Sequence, residues 1–161
     1  MSTVTVTAAR GDADLESLRA LFLSYAESLG FSLCFQGFED ELDELPGAYA
    51  PPAGELWLGR RGDMPLGCVG VRPLGDGHAC EMKRLYVTPD ARRLGLGRRL
   101  AETSVVFARE AGYTIMRLDT IRDRMTAAEA LYQSMGFRET PPYYDNPIPG
   151  AVYYARDLTI P

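Results

Sequence analysis

Residues 80–98 read Cys-Glu-Met-Lys-Arg-Leu-Tyr-Val-Thr-Pro-Asp-Ala-Arg-Arg-Leu-Gly-Leu-Gly-Arg, and this stretch decides the fold. Its first eight residues are typical of a β-strand, which ends at the Thr-Pro-Asp that follows because proline cannot donate to a sheet ladder. Downstream, a helical stripe closes at Gly112, a C′ position. The stripe consists of Leu96, Leu100, Thr103, Phe107 and Ala111. Gly95 and Gly97 are therefore predicted to lie in a strand-to-helix turn.

Such a turn is suited to anions, because the first backbone N–H groups of a helix lack intrahelical partners and the helix dipole is positive there. The two glycines would allow close approach of a diphosphate, and Arg92, Arg93 and Arg98 supply charge. A P-loop is disfavoured because its Gly-Lys-Ser/Thr ending is missing. A dinucleotide fingerprint is disfavoured because Leu100 stands where its third glycine would lie. An ordinary basic helix start remains the alternative.

Two motifs occur together in this chain. Residues 92–97 give Arg-x-x-Gly-x-Gly after a strand of the form Glu-x-Lys-Arg-Leu-Tyr-Val, and Ala-x-x-Leu-Tyr-x-x-x-Gly-Phe follows at residues 128–137. Together they resemble the GNAT superfamily of acyl-CoA-dependent N-acyltransferases, most strongly from residue 80 to residue 137. The resemblance implies an α/β (α+β) fold with a central mixed, mostly antiparallel sheet and helices on both faces.

The composition sets bounds on the class of protein. The 161 residues are predicted to form one domain, 1–161. A net charge of −5 disfavours nucleic-acid binding, and five arginines clustered within residues 84–99 fit a local phosphate site instead. No stretch approaches the ~20 apolar residues of a membrane span. Residues 1–4 lack signal-peptide features, so we expect a cytoplasmic protein that does not bind membranes.

The three cysteines show no pairing motif or zinc spacing, so we expect reduced, small apolar residues and no metal site. A homodimer is left open.

Hydrophobic periodicity predicts the element order βααβββαβαββ. A strand at Val4 and Val6 leads to a helix that Asp12 or Asp14 caps and that ends near Leu29. The later elements are a helix at 39–45, hairpin strands at 56–60 and 66–73 around Gly62-Asp63, the strand and helix described above, a strand at 114–119, a helix at 127–135, and strands near 137 and at 152–158. This order fits a sheet covered on both faces.

Forming an amide from a thioester and an amine requires a free amine, a polarised carbonyl and a protonated leaving thiolate. By resemblance, Glu81 is the general base; the alternative is a structural carboxylate paired with Lys83 or an arginine. The resemblance also implies a bulge in the fourth strand that frees the backbone N–H of Leu85 to bind the thioester oxygen. Tyr132 would protonate the thiolate, and the alternative is a tyrosine that only packs in the core.

The resemblance further implies a set of acetyl-CoA-binding residues, in which Val87 pairs with the pantetheine arm and the turn holds the diphosphate. The full set is Leu85, Tyr86, Val87, Arg92, Arg93, Leu94, Gly95, Leu96, Gly97, Arg98, Thr120, Ala128, Leu131 and Tyr132. The chain departs from the family pattern at Arg93 and Leu94, where glycine and a polar or basic residue are common. It also departs at Met125, where many members have an asparagine that contacts CoA.

Two aromatic segments, 31–38 and 143–147, resemble the loops that wall the acceptor cleft in this superfamily. With Glu39, Asp40 and Asp145 they would suit a cationic amine, and the alternative is that their aromatic side chains only close the core. His78 lies in a Gly-Asp-Gly-His turn and is assigned no role.

The sequence therefore predicts an acetyl-CoA-dependent N-acetyltransferase that acts on a small-molecule or protein amine. Transfer is expected to be direct, in a ternary complex, because no cysteine occupies the matched site positions. Two alternatives stay open: a CoA-binding regulatory module without turnover, and a nucleotide-binding protein.

Overall fold

The computed structural model describes residues 3–30, 32–75, 77–122 and 126–161, apart from the side chains of Phe35 and Thr126. The expectations for Phe31 and Met125 lie outside this description. In chain order the elements are β1 (Val4–Ala8), α1 (Gly11–Leu29), α2 (Phe38–Glu44), β2 (Glu55–Arg61), β3 (Met64–Leu74), β4 (Ala79–Val87), α3 (Leu96–Glu110), β5 (Ile115–Ile121), α4 (Thr126–Ser134), β6 (Arg138–Thr140) and β7 (Ala151–Asp157). This matches the predicted order.

All seven strands join one sheet in the order β1-β2-β3-β4-β5-β7-β6. Only β4 and β5 pair in parallel, and each of the other neighbours pairs antiparallel. The predicted mixed, mostly antiparallel sheet is therefore confirmed. Among the described residues, no helix combines the length and hydrophobicity needed to cross a membrane.

Helices cover both faces of the sheet. Consecutive strand residues point to opposite sides, and apolar side chains on each side pack against helices. On β2, Leu56 and Leu58 pack in one buried cluster with Leu18 and Phe22 of α1, whereas Trp57 packs in a second cluster formed with α3 and α4. Each large apolar side chain buried in this way contributes about 1.5–3 kcal/mol.

Helix α3 lies close to the sheet, and its buried face differs from the predicted stripe. The buried positions are Leu96, Leu100, Ala101, Ser104, Val105 and Ala108. Thr103 and Phe107 are only half-buried and Ala111 is exposed, because the small residues of α3 face the strands. A Cβ on Gly59 would lie 2.6 Å from Leu96 Cδ1, so the strand needs glycine where the helix crosses it.

Helix α1 begins differently from the prediction. Its N-cap is Arg10 rather than Asp12 or Asp14, with no side-chain cap, although Asp14 Oδ2 accepts a hydrogen bond from the Arg10 backbone N–H at 2.8 Å. Cys68 and Cys80 are buried, as expected for small apolar residues, whereas Cys34 is exposed.

Strand β4 contains an irregularity that opens the sheet. Cys68 of β3 pairs with Tyr86 and Gly70 pairs with Lys83, so one β3 residue faces two β4 residues, Arg84 and Leu85. This is the pattern of a β-bulge, and Arg84 has a φ of 61°. Beyond residue 81, the β4 ladder with β5 stops. The two strands diverge there, and a cleft lies between them.

Candidate active site

A groove of about 430 Å³ runs from the carboxyl end of β4 to α1 and α4. Leu85, Tyr86 and Val87 form its floor at the strand end. The other lining residues are Tyr25, Ser28, Leu29, Arg92, Gly97, Ala127, Ala128 and Leu131. The groove is mostly apolar, as a binding site for an extended apolar arm would be.

The glycine-bearing turn meets this groove at the start of α3. Gly95 is the N-cap residue, with a φ of 74° and no side-chain cap. Arg93 has a φ of 72°, a left-handed conformation that an arginine rarely adopts and that explains why glycine is common at this position in the superfamily. Arg92 Nε donates to Val87 O at 3.2 Å, and Arg98 donates to Ser134 Oγ at 2.7 Å. These contacts join the turn to β4 and α4.

A smaller inner cavity of about 30 Å³ lies between the diverging strands. Leu85 lines both this cavity and the groove, and Tyr132 and Thr120 line the cavity beside it. Lys83 and Asp119 bring charge to the same cavity. The space admits water-sized groups next to two charged side chains.

Glu81 lies at the base of the split and is almost fully buried, with 1% of its surface exposed. Arg72 Nε donates to its Oε1 at 2.8 Å, and Lys83 Nζ lies 3.8 Å from its Oε2. The Tyr143 hydroxyl donates to Oε2 as well. Glu81 is not among the described residues that line the inner cavity. Its ion pairs with Arg72 and Lys83 are those of the alternative in which it is a structural carboxylate.

Asp119 on β5 faces Lys83 across the split. Lys83 Nζ donates to its Oδ1 at 3.4 Å, while Asn146 Nδ2 donates to Oδ2 at 2.9 Å. The Tyr144 hydroxyl also donates to Oδ2. Burial alone would raise the pKa of Asp119, but Lys83 and the two donors on Oδ2 outweigh it and lower that pKa.

A chain of hydrogen bonds continues from Asp119 to helix α2. Gln36 Nε2 donates to the Tyr144 hydroxyl at 2.8 Å, and Gln36 Oε1 accepts from Arg84 Nη1 at 2.7 Å. Arg84 also binds both carboxylate oxygens of Glu41, at 3.0 and 2.9 Å. The bulge residue is thereby tied to α2. Leu33 and Gln36 of one predicted acceptor segment and Asn146 of the other line the cavity.

Burial shifts the pKa values of two further groups that line the cavity, Tyr132 and Lys83. It raises the pKa of Tyr132, whose side chain packs edge-on against Phe137. It lowers the pKa of Lys83, although Glu81 and Asp119 oppose that shift. The phenol therefore keeps its proton at neutral pH, and the lysine loses its proton more readily than an exposed lysine would.

The structure brings together most of the predicted residues but not all. Leu85, Thr120 and Tyr132 meet at the inner cavity, and the groove gathers six more of the predicted set. Those six are Tyr86, Val87, Arg92, Gly97, Ala128 and Leu131. Leu96 is instead buried in the core, and Leu94 is exposed. On the described residues, no group of three metal-binding side chains comes together.

Sequence reasoning assigned no role to Asp119 or Gln36 and gave Lys83 only as a partner of Glu81. It also counted Arg84 among the phosphate-site arginines, which is wrong because Arg84 is buried and pairs with Glu41. Each of these four residues acts through a partner distant in the sequence, such as Asp119 for Lys83, which lies 36 residues away. One available signal was that Lys83 is the only lysine in the chain.

Solved acetyltransferases share this architecture over nearly their whole length. A GNAT-family acetyltransferase from Staphylococcus aureus Mu50 superposes with a TM-score of 0.80 and 21% identity, covering 97% of this chain and 99% of that one. At this identity the similarity establishes the fold, which is that of acetyltransferases.

Sequence comparison extends this to the family. The model of the acetyltransferase (GNAT) family matches residues 16–137. An N-acetyltransferase of Schizosaccharomyces pombe is 39% identical over 98% of this chain and 97% of its own length. Another, from Dictyostelium discoideum, is 27% identical over 83% and 89% of the two chains. The chain belongs to the GNAT acetyltransferase family and is an acyltransferase, which confirms the resemblance carried by the two motifs.

Proposed function

We propose that the protein transfers the acetyl group of acetyl-CoA directly to a primary amine within a ternary complex. The observation that carries this proposal is the position of Leu85, which lies in the bulge where the groove and the inner cavity meet. A thioester held at that junction has the apolar groove on one side and charged groups on the other. Both reactants can therefore occupy the site together, as direct transfer requires.

Acetyl-CoA supplies the activated acetyl group, and the turn and groove fit its diphosphate and pantetheine arm. Gly97 lines the groove, and a Cβ there would meet only Val87 Cγ2, at 3.8 Å, so the missing side chain leaves room for a ligand. Gly95 begins α3, whose first N–H groups suit a diphosphate. Leu96 would contribute its backbone, since its side chain is buried.

The chemical roles follow from the groups at the junction. The backbone N–H of Leu85 would polarise the thioester carbonyl. Tyr132 would give its proton to the leaving sulfur, because burial keeps the phenol protonated. Glu81 stays the proposed base, and Asp119 is a second candidate because it lines the cavity directly.

The acceptor we propose is a cationic amine of a small molecule or protein. Gln36 separates the inner cavity from a neighbouring cavity of about 180 Å³ lined by Asp40, Glu41 and Glu44. Arg84 already pairs with Glu41 and Arg72 also lines this cavity, so Asp40 and Glu44 are the carboxylates that would favour a cation on the acceptor side. A cytoplasmic location and a homodimer remain predictions from the sequence.

Ligand-induced thermal shifts test the binding half of the proposal. Acetyl-CoA and CoA are expected to raise Tm, whereas ATP and NAD should do so weakly or not at all. Stabilisation by ATP or NAD at least as large as that by CoA would instead favour a nucleotide-binding protein.

Thiol release from acetyl-CoA with a panel of primary amines tests the catalytic half. We expect at least one amine to be acetylated, with intersecting initial-rate patterns that indicate a ternary complex. CoA binding without turnover on any amine would favour a regulatory module. Parallel rate patterns would indicate a covalent acyl-enzyme instead.

A further inference from the structure

The chain contains a single side-chain amine. Lysine and arginine together number 17, and Lys83 is the only lysine among them. Arginine cannot be deprotonated in proteins and is a poor acyl acceptor for that reason. The one lysine of the chain thus lines the inner cavity and is buried.

Lys83 is placed among the groups proposed to act on the thioester. It lines the inner cavity together with Leu85 and Tyr132, and only 4% of its side chain is exposed. Its Nζ contacts Asp119 Oδ1 at 3.4 Å, whereas Oδ2 of the same carboxylate is taken by Asn146 and Tyr144. The amine therefore lies between Asp119 Oδ1 and Glu81 Oε2, which is 3.8 Å away, and Lys83 lines the cavity.

Charged groups from three strands surround this amine. Glu81 and Arg84 flank it on β4, Arg72 lies on β3 and Asp119 on β5. Burial and the two arginines favour the neutral amine, while the two carboxylates favour the ammonium. Burial is the largest of these effects, so the pKa of Lys83 is lowered and a neutral nucleophile is more accessible than on an exposed lysine.

We propose that Lys83 is an internal acyl acceptor, which the enzyme acetylates from its own bound acetyl-CoA when no external amine is present. The inference rests on the proposed function, because the acetyl donor is the same. The Nζ lone pair forms a bond to the carbonyl carbon, and the carbon–sulfur bond breaks. The nitrogen loses one proton and the sulfur gains one through Tyr132, so the products are an acetyl-lysine and the free CoA thiol.

Acetylation at this position would act on the site itself. The acetamide has no charge, so Glu81 and Asp119 would lose the cation that lies between them. The added group would also occupy a cavity of only about 30 Å³. We therefore expect the acetylated protein to transfer acetyl groups to external amines at least about tenfold more slowly. The reasons are that a buried carboxylate loses its partner and that the site is blocked.

The test is to incubate the purified protein with trideuteroacetyl-CoA and no acceptor, followed by intact mass and peptide mapping. The deuterated label separates new acetylation from any that arose during expression. We expect one trideuteroacetyl group, on the peptide that contains Lys83, at a rate at least about tenfold above that of the urea-unfolded chain. Lys83→Arg should remove this label, and Tyr132→Phe should slow its appearance.

The outcomes separate this inference from the proposed function. If acetyl-CoA raises Tm but Lys83 stays unlabelled, the internal acceptor is wrong while acetyl-CoA binding stands. Label confined to the N-terminal amine, or equal rates in folded and unfolded chain, would also overturn it. If acetyl-CoA gives no thermal shift, the proposed function itself fails. Lys83→Met provides a second unlabelled control if Lys83→Arg does not fold.

Discussion

Burial raises the pKa of Tyr132, which keeps the phenol protonated and also makes it a weaker acid. Tyr132 is 5% exposed and lies in the helix that follows the split strands. We expect Tyr132→Phe to lower kcat by about 100-fold while CoA-induced stabilisation is kept, since only the proton donor is removed. Steady-state kinetics with an accepted amine measures the change. Tyr113→Phe, which loses one hydrogen bond to Ala53 O, is the control and should keep wild-type kcat. Wild-type turnover in Tyr132→Phe would assign Tyr132 to packing.

The two carboxylates at the split should respond differently to neutralisation. Glu81→Gln removes the carboxylate partner of Arg72, whose side chain is 26% exposed, and one of the two partners of Lys83, so it is expected to destabilise the fold by about 1–3 kcal/mol. Asp119→Asn removes the nearer partner of the Lys83 ammonium, 3.4 Å away, and should lower kcat/KM throughout pH 6 to 9, because the lowered pKa of Asp119 keeps that carboxylate ionised over the whole range. Urea unfolding and rates from about pH 6 to 9 decide between them. A lost acidic limb in Glu81→Gln with stability retained would favour Glu81 over Asp119 as the base.

At the scale of elements, the glycine turn at the start of α3 should be needed for CoA binding but not for folding. Gly97→Val is expected to keep the fold, since its Cβ has ordinary van der Waals space, but to abolish CoA-induced stabilisation because the side chain enters the groove. Differential scanning fluorimetry with and without CoA measures both effects. Unchanged CoA affinity in a folded variant would contradict the placement of the diphosphate.

Gly95 and Gly112 form a matched pair at the two ends of α3. Both have a positive φ, 74° and 92°, and a Cβ at either position would meet open space. Alanine should therefore cost each about 1–2 kcal/mol, which is backbone strain alone. Only Gly95→Ala should also weaken CoA binding, as titration of each variant with CoA would measure. Equal CoA affinity in both variants would show that the turn is a structural feature alone.

The bulge is tied to α2 by a charge pair that should matter more than a surface pair. Arg84→Met leaves Glu41 buried without its partner and is expected to lower the free energy of unfolding by about 3–5 kcal/mol. Arg98→Met breaks a half-exposed pair with Glu102 and should change it by less than about 1 kcal/mol. Urea denaturation measures both, and similar values for the two variants would refute the distinction.

Element positions could be predicted from the sequence, whereas the site's ionic contacts could not. Periodicity and turn residues located the hairpin around Gly62-Asp63 and the strand-to-helix turn, because these are local properties. The resemblance supplied the bulge. The partners of Lys83 and Arg84 lie on β5 and α2, and such pairs depend on which strands and helices become neighbours after folding. That information is not local.

For the molecule as a whole, the paired carboxylates should govern acid stability. The pKa values of Asp14, Glu41, Asp119 and Glu129 are lowered, so each group binds its proton more weakly in the folded than in the unfolded chain. Their stabilisation is present above the unfolded values near ~4 and is lost as pH falls through the folded ones. We expect urea midpoints to be level near neutrality and to fall below about pH 4. Asp119→Asn should make that decline with pH less steep. An unchanged slope of urea midpoint against pH would contradict a contribution of Asp119 to acid stability.

The short pairing between β4 and β5 has a mechanical consequence. The sheet consists of two halves, one formed by β1 to β4 and the other by β5, β7 and β6, and the ladder that joins them covers only residues 79–81 and 115–117. A ligand arm lying along Leu85 to Val87 would contact the β4 backbone on one side and α4 on the other, and would so connect the two halves where they are not paired. Ligand binding would then reduce the motion of one half of the sheet relative to the other.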